Sequence, residues 1–113
     1  MDIIKRNGDR VPFDKKKIVR AVENALIDVD KYLYETDTAN DIADDIENFY
    51  LKHPTYQATV EEVQDMVEDL LMRSERKDVA KSYIRFRYKR EVAREVKSDF
   101  FDAFGEKLKA SNV

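Results

Sequence analysis

Apolar positions recur at helical spacing over most of this chain, and only the first dozen residues depart from that rhythm. There the order Ile3-Ile4-Lys5-Arg6, Asn7-Gly8, Asp9-Arg10-Val11-Pro12-Phe13 reads as two short strands across a tight turn. Asn-Gly accepts the positive φ angles of a type I′ turn, so a β-hairpin is predicted, with Lys5 and Arg6 on opposite faces of its first strand. Asp14 stands where an N-cap belongs, and Ile18, Val22, Ala25 and Leu26 follow three and four apart with Ala21 beside them, predicting a first helix over residues 15–28. Asp37 or Thr38 caps a second helix with apolar positions Ile42, Ala43, Ile46, Phe49 and Tyr50; it stops near His53-Pro54, because the residue before proline disfavours helical geometry.

The third helix has the clearest start. Thr59 with Glu62 three residues on is a capping box, and Val60, Val63, Met66, Val67, Leu70 and Leu71 form its apolar stripe up to residues 73–75. From Asp78 the set Val79, Ala80, Tyr83, Ile84, Arg87 and Tyr88 predicts a fourth helix through Val92 and as far as Val96. The aromatic run Phe100-Phe101-Asp102-Ala103-Phe104 either packs back or leads towards another domain, and Gly105 is expected to break it from Glu106-Lys107-Leu108-Lys109. The fold class is therefore mainly α, a four-helix bundle capped by an N-terminal β-hairpin, without internal repeats.

Composition narrows the chemistry. A length of 113 residues suits one domain, and two glycines and two prolines with 40% charged residues favour long amphipathic helices. No cysteine is present, which excludes disulfides, zinc-thiolate sites, iron–sulfur clusters and thiyl chemistry from this stretch. The one histidine, His53 before Pro54, reads as a loop residue after a helix rather than a ligand or catalytic base. No long apolar run and no basic-then-apolar leader is seen, so a cytoplasmic protein without a membrane partner is expected.

The net charge of −3 hides an uneven spread. Residues 35–47 are acidic and read as a solvated face, whereas Lys5, Arg6, Arg10, Lys15, Lys16, Lys17 and Arg20, and again residues 73–97, are basic, so an anionic partner is plausible. Neither a P-loop nor a dinucleotide fingerprint can be written with two glycines, so any nucleotide site must use basic side chains converging on phosphates beside a helix N-terminus. Lys17 falls in the first turn of the first helix, against the helix dipole, which would prefer an acid there. That misfit hints at function, although on spacing alone ordinary solvated surface charge is the preferred reading of Lys5, Arg6 and Lys17. No pair of carboxylates suits hydrolysis. Tyr83, Phe86 and Tyr88 interleaved with Arg85, Arg87 and Lys89 suit base stacking in principle, but core packing by Tyr83 and an arginine-covered outer face are the simpler reading, with Lys89 kept as a phosphate ligand.

Three stretches resemble the ATP-cone family. Ile3-Ile4-Lys5-Arg6-Asn7-Gly8 with Val11-Pro12-Phe13-Asp14 and Lys17-Ile18 looks like its opening. Residues 59–68 and 79–87 are similar to its third and fourth helices. The resemblance implies a nucleotide-binding domain over 2–92 and, over 93–113, a helical extension or linker towards a catalytic domain. It implies ATP or dATP as allosteric effector under the hairpin, with Mg2+ admissible beside the triphosphate, since hard oxygens suit it. By position it carries phosphate contacts onto Lys5, Arg6, Lys17 and Lys89 with Gln64 close by, and base or sugar contacts onto Ile3, Val11, Asp14, Ile18 and Val60. Some relatives are polar at the positions of Val11 and Val60, so apolar or backbone contact is implied there.

The resemblance also implies a regulatory domain without catalytic residues that controls the activity and oligomeric state of a ribonucleotide reductase, its partners being the nucleotide, the catalytic domain and a cone-mediated homo-oligomer. The arginine-rich fourth helix running into Arg94-Glu95-Val96-Lys97-Ser98-Asp99 resembles the anaerobic ribonucleoside-triphosphate reductase. Cones also occur in a transcriptional repressor behind a zinc ribbon, for which this chain has no cysteines. Two other readings stand beside it: a nucleic-acid-binding helical module using residues 73–97, disfavoured by the acidic remainder, and a helical interaction module without a ligand.

Overall fold

Helical periodicity in residues 15–83 produces a core shared by four helices. The computed structural model describes residues 1–33 and 35–111, in the order β1 (Asp2–Ile4), β2 (Arg10–Pro12), α1 (Lys15–Asp30), α2 (Asp37–Lys52), β3 (Ala58–Thr59), α3 (Val60–Arg73) and α4 (Lys77–Ser111). The expected mainly α architecture with a strand cap is present. Two units divide the chain, Met1–Tyr83 and a second beginning at Ile84, with α4 belonging to both.

In the first unit, Ile18, Val22, Ala25 and Leu26 of α1 meet Ala39, Ile42, Ala43, Ile46 and Tyr50 of α2, Val67 and Leu71 of α3, and Val79, Ala80 and Tyr83 of α4. Burying a side chain of this size is worth about 1.5–3 kcal/mol, so these positions dominate the stability of the unit. The sheet closes the core at one end, with Ile3 and Ala58 buried and Val11 and Phe13 packed against them. Ser82 is the one buried polar residue among those described, and its hydroxyl donates to Asp28 Oδ2 at 2.8 Å, which satisfies it.

Several local expectations are corrected. A third strand exists: Ala58 and Thr59 run parallel to β1, Ile3 opposite Ala58 and Ile4 opposite Thr59, so the sheet order is β2-β1-β3. β1 ends at Ile4, which leaves Lys5 and Arg6 in the connecting loop rather than on alternating strand faces. That loop is not a type I′ turn. Only Gly8 has positive φ, at 89°, whereas type I′ needs it at both central residues. Gly8 N–H donates to Lys5 O, and Lys5 N–H donates to Asp9 O, closing a longer loop steadied by the Asn7 and Asp9 side chains.

Asp14 caps α1 as expected, accepting from Lys16 N–H, but the helix runs to Asp30 and ends on Lys31 in the left-handed region, its N–H donating to Ile27 O. α2 begins at Asp37 after Thr36, whose side chain makes no capping bond, so neither Asp37 nor Thr38 is its cap. Thr59 Oγ1 accepts from Glu62 N–H as in a capping box, while the Glu62 carboxylate accepts from the Tyr56 hydroxyl. Gly105 does not break α4. An interior glycine costs only about 1 kcal/mol relative to alanine, and no proline follows to stop the helix.

Candidate functional site

The hairpin loop and the first turns of α1 and α3 hold most of the candidate residues, and strand pairing explains why. Because β1 lies between β2 and β3, the loop after Ile4 emerges beside Thr59, the N-cap of α3. Arg6 there pairs with Glu61 in the first turn of α3, Nε to Oε1 at 2.5 Å. Val60 is half-buried against the core at the start of the same helix, and Gln64 lies one turn on. β2 leads through Phe13, whose N–H donates to Met1 O, into the Asp14 cap and Lys17. Arg6 and Lys17 therefore sit at opposite ends of a strand some 10 Å long.

The basic residues of the sequence divide sharply by what they touch. Lys15 bonds Asp44 at 2.8 Å and approaches Glu47 at 3.6 Å, tying α1 to α2; that hydrogen bond, with the field of both carboxylates, raises its pKa. The acidic face of α2 is thus partly engaged rather than wholly solvated. Arg10 donates to Gln57. Arg76 donates to Asp30 at 2.8 Å, Glu35 at 3.1 Å and Asp78 at 3.2 Å, binding the end of α1 and the chain after it to the start of α4. The bond to Asp30 leads in pushing the Arg76 pKa up, and the same guanidinium lowers that of Asp78. By contrast, Lys5 and Lys17 are exposed and make no side-chain ion pair among the described residues. They face solvent at the loop and at a helix start that has no acid in its first turn.

The remaining candidates are less available. Ile3 and Ile18 are 6% and 7% exposed, so the core takes most of their surface and only an edge or the backbone is left for a ligand. Val11 packs partly on the core, and Asp14 is engaged as the helix cap. Gln64 Oε1 is buried without a hydrogen-bond partner, the one such side-chain atom among the described residues. An orphaned acceptor costs about 1–3 kcal/mol, so it marks a place where a donor belongs. Lys89 lies in the second unit, exposed, 6.0 Å from the Phe86 ring centroid, whereas the hairpin group belongs to the first.

Sequence reasoning missed the aromatic layer behind this end of the core. Phe13, Tyr50, Tyr56, Phe49 and His53 contact one another in series, and His53 closes α2 with Nδ1 against Phe49 O at 2.8 Å. Burial pushes the Tyr50 hydroxyl up to about 12, and its bond to Met66 Sδ joins α2 to α3. Among the described residues, one open groove of about 520 Å³ lies between α2 and α3, lined by Phe49, Met66 and Leu70, and another of about 280 Å³ lies beside Lys16, Val19 and Arg20. Neither includes Lys5, Arg6, Lys17 or Gln64. Among the described residues no three His, Cys, Asp or Glu side chains gather as a metal group, and no helix is long and apolar enough to cross a membrane.

Arg6 of the hairpin loop thus meets the first turn of α3, while Lys17 stands in the first turn of α1 at the other end of β2. The ATP cone domain model matches residues 1–92, and the chain belongs to that family. It is 41% identical over 101 residues to the vitamin B12-dependent ribonucleoside-diphosphate reductase of Thermoplasma acidophilum, covering 85% of this chain and 13% of that protein. It is 29% identical over 113 residues to the anaerobic ribonucleoside-triphosphate reductase of Haemophilus influenzae, covering 98% and 15%. To the ribonucleoside-diphosphate reductase subunit alpha of Chlamydia muridarum it is 35% identical over 107 residues, covering 82% and 10%. The chain thus spans about a seventh or less of these relatives, which include the anaerobic enzyme expected from α4 and two other kinds of reductase.

Proposed function

We propose that this chain is an allosteric input domain that takes ATP or dATP between the hairpin loop and the first turns of α1 and α3, and so biases the activity and assembly of a ribonucleotide reductase. The observation that carries this reading is that Lys5 and Lys17, at the hairpin loop and the start of α1, make no ion pair among the described residues, as Lys16 and Arg20 do not, in an ATP-cone chain where Lys15, Arg10 and Arg76 are engaged within the fold. Phosphate oxygens are the partners such cations lack, and the open start of α1 favours the same charge. Arg6 joins them by exchanging Glu61 for phosphate. The buried Gln64 oxygen, an acceptor, suits a sugar hydroxyl or the base amino group rather than phosphate. Ile3, Val11, Ile18 and Val60 line the apolar side, and Asp14 fixes the helix start. Any magnesium arrives with the triphosphate, held by phosphate oxygens.

Residues 2–92 form the sensor in this reading, and 93–113 extend it towards a catalytic region, the anaerobic triphosphate reductase being the parent favoured by the basic fourth helix. The chain itself reduces nothing; the compartment proposed is the cytoplasm. Regulation follows only from differential binding to two arrangements of the parent, so ATP and dATP can act oppositely through the contact made to one ribose hydroxyl. A nucleic-acid reading loses support because Arg76 and Arg87 on the basic stretch are in intrachain ion pairs. Calorimetric titration of the chain with ATP and with dATP, in magnesium buffer, tests the proposal. Saturable binding lost in Lys5→Ala and Lys17→Ala is expected, and a folded chain giving no heat with either nucleotide refutes it.

A further inference from the structure

The hairpin loop holds a reactive pair that the nucleotide reading does not use. Asn7 is followed by Gly8, which hinders approach to a neighbouring side chain least, because it has no Cβ. Residues 5–9 are all exposed, and a Cβ built on Gly8 would meet nothing within 4 Å, so this peptide stands open to water. The Asn7 amide is held on both its polar atoms: Asp9 N–H donates to Oδ1 at 3.0 Å, and Nδ2 donates to Asp9 Oδ2 at 3.0 Å. The first bond polarises the side-chain carbonyl and stands where negative charge would gather on attack at Cγ, as an oxyanion donor does. Gly8 N–H donates to Lys5 O at 2.9 Å, so the loop has to loosen by that bond before its nitrogen can attack. The other described asparagines, Asn24, Asn40 and Asn48, lie within α1 and α2, where the following N–H is tied into the helix, and none precedes glycine.

We propose that Asn7 is a self-modification site whose conversion discharges the hairpin loop. The Gly8 nitrogen bonds to Asn7 Cγ and gives up its proton, the Cγ–Nδ2 bond breaks, and Nδ2 takes up a proton and leaves as ammonia. A five-membered imide remains. Water then adds to one of its two carbonyls and the ring C–N bond breaks, giving aspartate from the Cγ side or isoaspartate from the backbone side. Water is the one co-reactant, and nothing is oxidised or reduced. The loop carries two cations, Lys5 and Arg6, and one acid, Asp9, so conversion takes its charge from +1 to zero. It also puts a carboxylate oxygen where Nδ2 donated to Asp9 Oδ2, turning a 3.0 Å hydrogen bond into a contact between like charges. The isoaspartate form adds one backbone carbon between Arg6 and Gly8, against the register that the 2.8 Å bond from Lys5 N–H to Asp9 O fixes.

The modification needs no ligand, whereas its consequence for an anion held by Lys5 and Arg6 rests on the nucleotide reading. Ageing the full chain in mildly alkaline buffer without nucleotide, followed by peptide mapping in a mass spectrometer, tests the first. Aspartate and isoaspartate are expected at position 7 of the folded chain while Asn24, Asn40 and Asn48 remain amides. Gly8→Ala should slow conversion several-fold, since its methyl group obstructs the attack; should the strain of alanine loosen the loop instead, Asn7→Gln, which has to close a six-membered ring, should stay an amide. Calorimetry with ATP tests the second. Asn7→Asp carries the product charge from the start and should bind about threefold or more weakly, as one charge a few ångströms from phosphate does in a watery site. Asn7 intact in the folded chain after a urea-unfolded sample has converted, or conversion no faster than at Asn24, overturns the modification. Asn7→Asp binding ATP as the wild type does overturns its consequence. A wild type that binds no ATP sinks the nucleotide reading and that consequence together, and the mass map still decides the modification.

Discussion

Glu61 holds the arginine that the nucleotide reading gives to phosphate, so removing its charge should tighten binding. The two side chains are 43% and 37% exposed, and an ion pair that open contributes about 0.2–1 kcal/mol. Glu61→Gln releases that amount to the ligand, which is about a 1.4- to 5-fold gain in affinity. Arg6→Ala should act oppositely and more strongly, because it removes a charge-assisted bond worth about 1.5–3 kcal/mol, less the ion pair broken in the free protein. In the Arg6→Ala background Glu61→Gln should do almost nothing, so the cycle isolates the exchange. Calorimetry with ATP at two salt concentrations reads all four proteins. A thermal melt of each guards against lost structure, since Glu61 also suits the positive end of α3 and its removal costs a few tenths of a kcal/mol. Unchanged or weaker binding in Glu61→Gln, with the wild type binding normally, would refute the exchange and leave Arg6 as a structural tie between hairpin and α3.

The other expectations concern the frame around the site. Arg76→Met should destabilise the chain by about 1–3 kcal/mol in urea unfolding, as it strands Asp30, Glu35 and Asp78 in a partly exposed network; a change under 0.5 kcal/mol would count against the clamp. Asp78 has a lowered pKa, so its share of stability is present above the ordinary carboxylate range and lost as pH falls through its folded value, and Arg76→Met should flatten that acid limb. Tyr50 behaves oppositely: its raised pKa makes stability fall as pH climbs from about 10 to about 12, by up to roughly 1.4 kcal/mol per unit, and Tyr50→Phe should remove that slope. Gly8→Ala meets no atom within 4 Å yet keeps a φ of 89°, so it should cost about 1 kcal/mol by backbone strain alone, whereas Lys31→Gly, relieving a φ of 71°, should offset a similar amount in thermal melts.

The helices and their buried faces were legible because periodicity is local. Ile18, Val22, Ala25 and Leu26, then Ile42, Ala43, Ile46 and Tyr50, all lie in the core where spacing put them. β3 was not, since two residues carry no alternation and their partner strand lies more than fifty residues away. The same gap hid the Arg76 clamp: Asp30 and Glu35 meet it only through the packing of α1 and α4, so residues 73–97 read as one basic face. At the site, the candidate side chains were visible as types in order, but not their engagement. No pattern distinguishes Lys15, tied to Asp44, from Lys17, two residues on and uncommitted.

That distinction gives the fold its functional sense. α1 is held at both ends by different means: its start offers Lys17 and a helix terminus to an anion, while its end is fixed by Asp28 to Ser82 and by Asp30 to Arg76. Both anchors at the end reach the first turns of α4, a single helix that runs on to Ser111. A ligand drawing the hairpin towards the start of α1 therefore pulls on an element whose far end is bonded to the helix leaving the domain. Bonded contacts alone do not make coupling; the ligand must bind two arrangements of α4 unequally. Ser82→Ala separates these cases, since it strands Asp28 Oδ2 but touches no candidate ligand contact. If α1 carries the signal, nucleotide affinity should persist while the ligand's effect on amide exchange in the first turns of α4 shrinks. If that effect is undiminished, the signal leaves the site by another element, with α3, joined to the hairpin through β3 and Arg6, the first to examine.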